Sequence, residues 1–255
     1  MRVSRRTPEK LDERLVSLLA PSSVAAEQYR GLRYVVEHLH KHVVAITSPT
    51  PGDGKTTTAI NLAGALAQAP ESRVLLADAD LRLPRVGERV GLNGSDPRGL
   101  AEAIADDGLT LSDVVHHLPS FNLSVLPAGR SPASAYETLK SPRLEELLEE
   151  ARRHYDYIVL DTPPIVPVPD TRLVARVVDA LVVVVAAHRT PRQLLQESLV
   201  AIDSAKILGL VFNGNDHMRR GYYGYDSYFS GAKQDGWAGL VRTVRGLAAS
   251  SEWSR

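Results

Sequence analysis

The chain has 255 residues, enough for one α/β-sized domain, alone or with extensions, and for a sizeable core. Lysine plus arginine and aspartate plus glutamate both number 30, so no global charge favours nucleic acid as a partner. The absence of cysteine excludes disulfides, thiolate zinc and Cys-ligated iron–sulfur sites and fits a reducing cytoplasm. The longest apolar run, Ala180 to Ala187, is too short to span a bilayer, and no apolar segment follows Arg2, Arg5 and Arg6 as in a secretory signal.

Residues 1–10 are polar. Leu11, Leu15, Leu18 and Leu19 predict a short amphipathic helix stopped near Pro21. Ser22 or Ser23 can cap a second helix running to about His40. That helix carries Glu27, Arg30 and Arg33 on one side, with Glu27 able to pair with Arg30. On physical grounds alone a solvated charged face is favoured over a functional one.

Val43 to Ile46 has the length and β-branched content of a buried strand. It breaks into Ser48-Pro49-Thr50-Pro51-Gly52-Asp53-Gly54, and from Lys55 the apolar spacing of Ala59, Leu62, Ala63 and Leu66 is helical. Strand, glycine-containing loop, Gly-Lys-Thr and helix make a phosphate-binding loop. Gly52 and Gly54 let the backbone approach an anion, while loop N–H groups and the helix N-terminus supply positive potential. Lys55 would reach the β- and γ-phosphates, and the Thr56 hydroxyl would bind Mg²⁺. The strict pattern wants Gly where this chain has Pro49, so the match is to a variant loop.

Arg73 to Ala77 predicts a second buried strand, ending in Asp78-Ala79-Asp80-Leu81-Arg82-Leu83-Pro84. Carboxylates at the C-terminal end of a parallel strand sit where open α/β sheets place ligands. Asp78 and Asp80 could hold Mg²⁺ or its waters, or one could act as a base; a helix cap and surface turn is the other reading. Residues 85–121 form a helical and loop stretch, with short helices at 100–104 and 111–115. His116 and His117, being adjacent, point apart and read as surface histidines.

Leu123 to Leu126 is a strand ending in Pro127-Ala128-Gly129. Ser141 as N-cap and Pro142 in the first turn start a helix running to about Arg153. Tyr157 to Leu160 is a strand closing on Asp161, the form of a Walker B element whose carboxylate meets the nucleotide's Mg²⁺. Asp170 is placed as the cap of a helix ending near Val178. Leu181 to Val185 reads as a central strand, and Thr190 and Pro191 begin a helix to about Ser204. Ile207 to Phe212 is the last strand. Asn213 after it could contact the nucleotide base or simply make an Asn-Gly turn.

This alternation predicts an α/β fold: a mostly parallel sheet flanked by helices on both faces. Right-handed crossovers would bring the strand ends after residues 46, 77 and 160 to one edge, where a nucleotide sits.

Beyond Asn213 the composition changes. Four of the nine tyrosines, Tyr222, Tyr223, Tyr225 and Tyr228, fall within seven residues, a biased segment interrupted by glycine. It reads as mobile, either as a set of phosphate acceptors or as an aromatic segment that docks on a partner. Residues 230–255, with Trp237, Leu240, Val241, Val244 and Leu247, hold a weak amphipathic helix at best. The expected organisation is an N-terminal extension over 1–21, a phosphate-loop domain over 22–213, and a tail over 214–255.

From about residue 22 to 229 the chain resembles the bacterial tyrosine autokinases that control capsule and exopolysaccharide synthesis. The resemblance rests on SPTPGDGKTTT, VLLADADLRLP, YIVLDTPP, EQYRGLR, GLVFNG and the tyrosine cluster. It implies a P-loop NTPase with Walker A, A′ and B motifs that binds ATP and Mg²⁺. Gly52, Asp53, Gly54, Lys55, Thr56, Thr57 and Asn213 would line the nucleotide. Thr56, Asp78, Asp80 and Asp161 would serve the metal, with Asp78 or Asp80 activating the acceptor hydroxyl. Tyr222, Tyr223, Tyr225 and Tyr228 would be autophosphorylation sites. Glu27, Arg30 and Arg33 match a subunit-contact motif that assembles a ring and feeds one subunit's tail to its neighbour.

The resemblance also implies a separate cytoplasmic chain, peripheral at the inner face of the membrane through a membrane-bound polysaccharide co-polymerase that activates it, and opposed by a cognate tyrosine phosphatase. Departures are Ala133-Ser134 after Pro132, where the family often has Asn-Pro, and about twenty-five residues beyond the tyrosines. Two other readings stay open. One is a regulatory ATPase of the division-site or partition type, although these carry a signature lysine where this chain has Thr50. The other is a non-catalytic adaptor of the polysaccharide machinery.

Overall fold

The computed structural model describes residues 11–92, 98–214 and the strand 240–242. Its centre is formed by β1 (Val43–Thr47), β2 (Val74–Asp78) and β5 (Tyr157–Asp161), joined by β6 (Ala180–Ala186) and β7 (Ile207–Asn213). With β3 (His116–Leu118), β4 (Leu123–Leu126) and β8 (Leu240–Arg242), they form one sheet in the order β3-β4-β2-β5-β1-β6-β7-β8. The six strands from β4 to β7 are parallel, and β3 and β8 add antiparallel edges.

The sheet is buried on both faces, so its strands read as unbroken apolar runs. Along β1, Val43 and Ala45 join one apolar cluster, and Val44 and Ile46 join the other, as the two-residue period of a strand requires. One face is covered by α5 (Leu100–Ala105), α6 (Leu111–Val114), α7 (Ala135–Lys140), α8 (Arg143–His154) and α9 (Asp170–Val177), through residues such as Leu100, Leu111, Leu139, Leu147 and Val174. The other face is covered by α2 (Val24–His38), α3 (Lys55–Leu66) and α4 (Val86–Arg89) through Leu32, Val36, Leu62 and Val86. The other α-helices among the described residues are α1 (Val16–Leu19) and α10 (Arg192–Val200).

The expected strands and main helices form where the apolar pattern put them. Ser23 caps α2, its Oγ accepting the Ala26 N–H at 3.2 Å. Several elements differ. His116 and His117 lie in the edge strand β3 rather than in loop, because their backbone pairs with β4. The helix α7 was not expected; Ser134 caps it by accepting the Glu137 N–H. The helix expected to reach Ser204 ends at Val200, and Asp203, accepting the Ala205 N–H, opens a separate 3₁₀ turn. Pro142 rather than Ser141 is the N-cap of α8, although Ser141 Oγ still accepts the Arg143 N–H at 3.2 Å. Residues 240–242 are strand, where the apolar spacing suggested helix.

The core also reaches further N-terminal than residue 22. Leu15 is fully buried, Asn61 Nδ2 donates to Arg14 O, and Ser17 N–H donates to Asn61 Oδ1. Gly64 of α3 makes room for this segment, since a Cβ there would lie 2.7 Å from Leu18 Cδ2.

Candidate functional site

The C-terminal ends of β1, β2 and β5 lie side by side, with Ile46 and Asp78 both in register with Asp161. The loop from Ser48 to Gly54 leaves β1 there and folds around its own acid. Asp53 is fully buried; its carboxylate accepts the Thr50 N–H and hydroxyl, each at 2.9 Å, and the Thr190 hydroxyl at 2.8 Å. Its side chain therefore braces the loop from inside and is not turned toward a ligand.

Gly52 and Gly54 have φ of +84° and +105°, values that side-chain-bearing residues rarely adopt. Gly54 faces a second constraint. Asn213 Nδ2 donates to the Asp53 carbonyl at 2.9 Å, and a Cβ on Gly54 would stand 2.0 Å from that nitrogen. The structure thus places Asn213 against the loop backbone, tying the end of β7 to it. Arg189 donates to the Gly52 carbonyl from the other side.

Lys55 opens α3 and points into the acidic strand ends. Its Nζ lies 2.7 Å from Asp80 Oδ2, 3.7 Å from Asp161 Oδ1 and 3.5 Å from Thr56 Oγ1. Burial works against its charge, but Asp161 and Asp80 outweigh burial and raise its pKa above the ordinary lysine value.

The three acids have different surroundings. Asp78, fully buried, accepts the N–H groups of Asp80, Arg85 and Val86, so its carboxylate shapes the turn that follows β2. Asp80 accepts the Leu83 N–H and holds Lys55. Asp161 is fully buried; the Thr56 hydroxyl and the Lys55 ammonium lie close enough to pull its pKa down, but among the described residues neither oxygen accepts a hydrogen bond of normal geometry. Burial pushes the Asp161 carboxyl up to about 6, against the pull of Lys55. Burial, then the Asp161 charge, pushes the Asp78 carboxyl up to about 7, against its backbone donors.

Buried carboxylate oxygens without hydrogen bonds are rare in folded proteins, and beside a lysine and a glycine cradle they single this cleft out as the candidate nucleotide site. Among the described residues, no three acidic or imidazole side chains converge as a complete cation cage.

Other expected residues are placed as follows. Thr56 is buried beside Lys55, and Thr57, half-buried, accepts a hydrogen bond from Arg89. Glu27 pairs with Arg30 on α2. Arg33 turns inward, with Nε on Glu37 at 2.7 Å and Nη1 on the Ala65 carbonyl at 2.9 Å. Tyr222, Tyr223, Tyr225 and Tyr228 lie outside the described residues.

Sequence reading missed two contacts. Asp170 does not cap α9; it is fully buried and takes the Arg82 guanidinium in two bonds, 2.6 and 3.0 Å. That pair fastens the turn bearing Asp80 to the segment after β5. The second contact is Arg89 on Thr57. Both join residues far apart in sequence; the only local sign was an arginine two residues past Asp80.

Residues 41–205 match a family described as "AAA domain". The chain is 32% identical over 238 residues to the tyrosine-protein kinase YwqD of Bacillus subtilis, covering 90% of this chain and 99% of that one. It is 31% identical to the succinoglycan biosynthesis transport protein ExoP of Rhizobium meliloti, over 84% of this chain but only 28% of that longer one. The kinase domain of the Escherichia coli tyrosine kinase ETK superposes with a TM-score of 0.71 at 28% identity, covering 81% of this chain and 80% of that domain.

Proposed function

We propose that this chain, which belongs to the bacterial protein-tyrosine kinases, phosphorylates the tyrosine cluster of its own tail in trans and thereby regulates polysaccharide polymerisation and export. Membership in the family makes it an ATP-binding, P-loop protein-tyrosine kinase. The finer reading rests on one observation: Lys55 stands between Asp80 and Asp161, whose buried oxygens accept no hydrogen bond, at the mouth of a glycine cradle.

In this reading the loop N–H groups of residues 52–56 bind the phosphates of ATP. Lys55 leaves Asp80 for a phosphate oxygen and offsets the charge that develops during transfer. Thr56, Asp161 and Asp80 would hold Mg²⁺, which when bound neutralises phosphate charge. Asp78, occupied by three backbone donors, keeps the turn in place. Asp80 is then the better placed of the two acids to take the proton of a tyrosine, whose ordinary pKa is near 10.

Acceptors would be Tyr222, Tyr223, Tyr225 and Tyr228 of a neighbouring subunit in a ring built through Glu27, Arg30 and Arg33. Roughly −2 charge per modified tyrosine would drive such tails apart and loosen the ring. We place the chain in the cytoplasm against a membrane-bound polysaccharide co-polymerase, with a tyrosine phosphatase resetting it; no helix among the described residues is long and apolar enough to cross a membrane itself. The name of ExoP supports the polysaccharide context.

The test is to incubate the chain with Mg-ATP and its activator and map phosphate on the tail, with Lys55→Met as control. Phosphate on tail tyrosines in the wild type alone is expected. Equal phosphate in the variant would overturn the reading.

A further inference from the structure

Arg89, the last residue of α4, belongs to none of the nucleotide motifs, yet its guanidinium reaches the helix of the phosphate loop. It donates to Thr57 Oγ1, and the same Nη1 lies 3.7 Å from Asp12 Oδ2. The Arg89 carbonyl in turn accepts the Asp12 N–H at 3.4 Å. Arg14 fixes Asp12 through its Nε at 2.8 Å and its backbone N–H at 3.0 Å. The segment bearing Asp12 is itself fastened to α3 through Asn61, Leu15 and the Leu18–Gly64 contact.

This arrangement constrains the Thr57 hydroxyl. A guanidinium has only donors, whereas a hydroxyl has one hydrogen and two acceptor sites. Thr57 Oγ1 therefore accepts from Arg89, and its own hydrogen remains available. A threonine in a helix often turns its hydroxyl back onto the carbonyl four residues earlier. For Thr57 that carbonyl belongs to Asp53, which receives Asn213 Nδ2 and no bond from Thr57 Oγ1. Thr57 is half-buried in the first turn of α3, two residues past Lys55, where a helix N-terminus favours an anion. A hydroxyl whose oxygen is bound to a cation is also a stronger donor.

We propose that Arg89 is a positioning residue for the nucleotide's phosphates: it holds Thr57 as a hydrogen-bond donor, and Asp12 holds Arg89, so that the segment before Pro21 sets phosphate affinity. This rests on the nucleotide reading of the phosphate loop. It makes residues 11–19 a working part of the site, coupled to the Thr57 hydroxyl through Arg89.

A double-mutant cycle read by binding tests it. Titration calorimetry with Mg-ADP is run on the full chain for wild type, Thr57→Val, Arg89→Met, the double variant and Asp12→Asn, with thermal unfolding of each. Either single change at 57 or 89 is expected to weaken binding about tenfold. The double variant should bind no more weakly than the worse single one, because both changes remove the same donor. Asp12→Asn should weaken binding about threefold, with no added effect once Arg89 is Met. If Arg89→Met does not fold, Arg89→Lys, which keeps the charge and loses the fork, enters the same cycle.

Multiplicative losses in the double variant, wild-type affinity in Arg89→Met, or losses that only follow falling melting temperatures would each overturn the proposal. A wild-type chain that binds no ADP would overturn the nucleotide reading itself. Measurable wild-type binding with independent single effects overturns only the role of Arg89.

Discussion

Asp161→Asn should make the stability of the nucleotide-free protein less sensitive to rising pH while removing phosphoryl transfer. The Asp161 side chain is fully buried without a hydrogen-bond partner, and its carboxyl is raised from 3.8 to about 6. A carboxyl raised in the folded state costs nothing below its unfolded pKa. The cost grows as pH rises from there through the folded value, and is complete above it. The full penalty is on the order of 3 kcal/mol, and roughly half of it develops between pH 5 and pH 8. An asparagine carries no such titration, although its amide incurs a pH-independent burial cost of about 1–3 kcal/mol. The informative quantity is therefore the change with pH, not the absolute difference. Asp78 adds to the effect with the same sign, since the Asp161 charge helps to raise its carboxyl. The assay is thermal unfolding of wild type and variant, without nucleotide or divalent cation, at pH 5 and pH 8. The wild type should lose roughly 3–6 °C more than the variant between those conditions. Parallel losses would show that the Asp161 charge is not under-compensated despite Lys55, and the inference that this acid waits for a further cation would fail.

Gly54→Ala should lower the melting temperature by several degrees and eliminate ADP binding, because it strains a backbone at φ +105° and displaces Asn213. Adding Asn213→Ala should return part of the stability and none of the binding, as calorimetry would read; recovery of binding would mean that the side-chain clash alone matters. Arg82→Met should destabilise the fold by about 2–4 kcal/mol, since it leaves the buried Asp170 unpaired. Arg82→Met with Asp170→Asn should be less destabilised in urea titration, and an equal or larger loss would contradict a paired charge. On α2, Arg33→Ala should cost about 1 kcal/mol of stability through its bond to the Ala65 carbonyl, besides any effect on assembly. Glu27→Ala should change mass in light scattering with stability unaltered; the opposite split between the two variants would refute their assigned positions.

The legible part of this protein was local in sequence. Each strand of the central sheet is a short apolar run, and the run's face-to-face alternation follows from its period. The phosphate loop was readable because glycine, lysine and threonine act within eight residues of one another, so their spacing alone specifies the geometry. Asp78 and Asp80 were found as a pair, but their division of labour was not visible. It depends on backbone N–H groups of Asp80, Arg85 and Val86, whose direction is set by the turn and not by residue type. Asp170 was misread as a cap because an acid before a helix usually is one; its partner Arg82 lies 88 positions away. Arg33 likewise had the spacing of an exposed face, yet packing between α2 and α3 turns it onto the Ala65 carbonyl. The short edge strand β3 carries too few residues for its period to register.

The electrostatics of the strand ends explain why these parts have to act together. Lys55 is the cation in contact with Asp80 and Asp161, and Asp78 adds a third carboxyl behind them. A triphosphate entering such a site alone would meet more negative charge than positive, and the same burial that strengthens attraction would strengthen repulsion. Two features reduce that conflict. The raised carboxyls of Asp161 and Asp78 lessen the resident negative charge near neutrality, and the backbone N–H groups of the glycine cradle bind phosphate without a side-chain charge. On the proposed function, a cation arriving with the nucleotide would make up the remaining deficit. Lowering pH from 8 toward 6 should therefore ease ADP binding in the absence of divalent cation and have a smaller or reversed effect in its presence. A calorimetric pH series with and without Mg²⁺ measures this. An identical pH slope in both series would break the link between the buried acids and the metal.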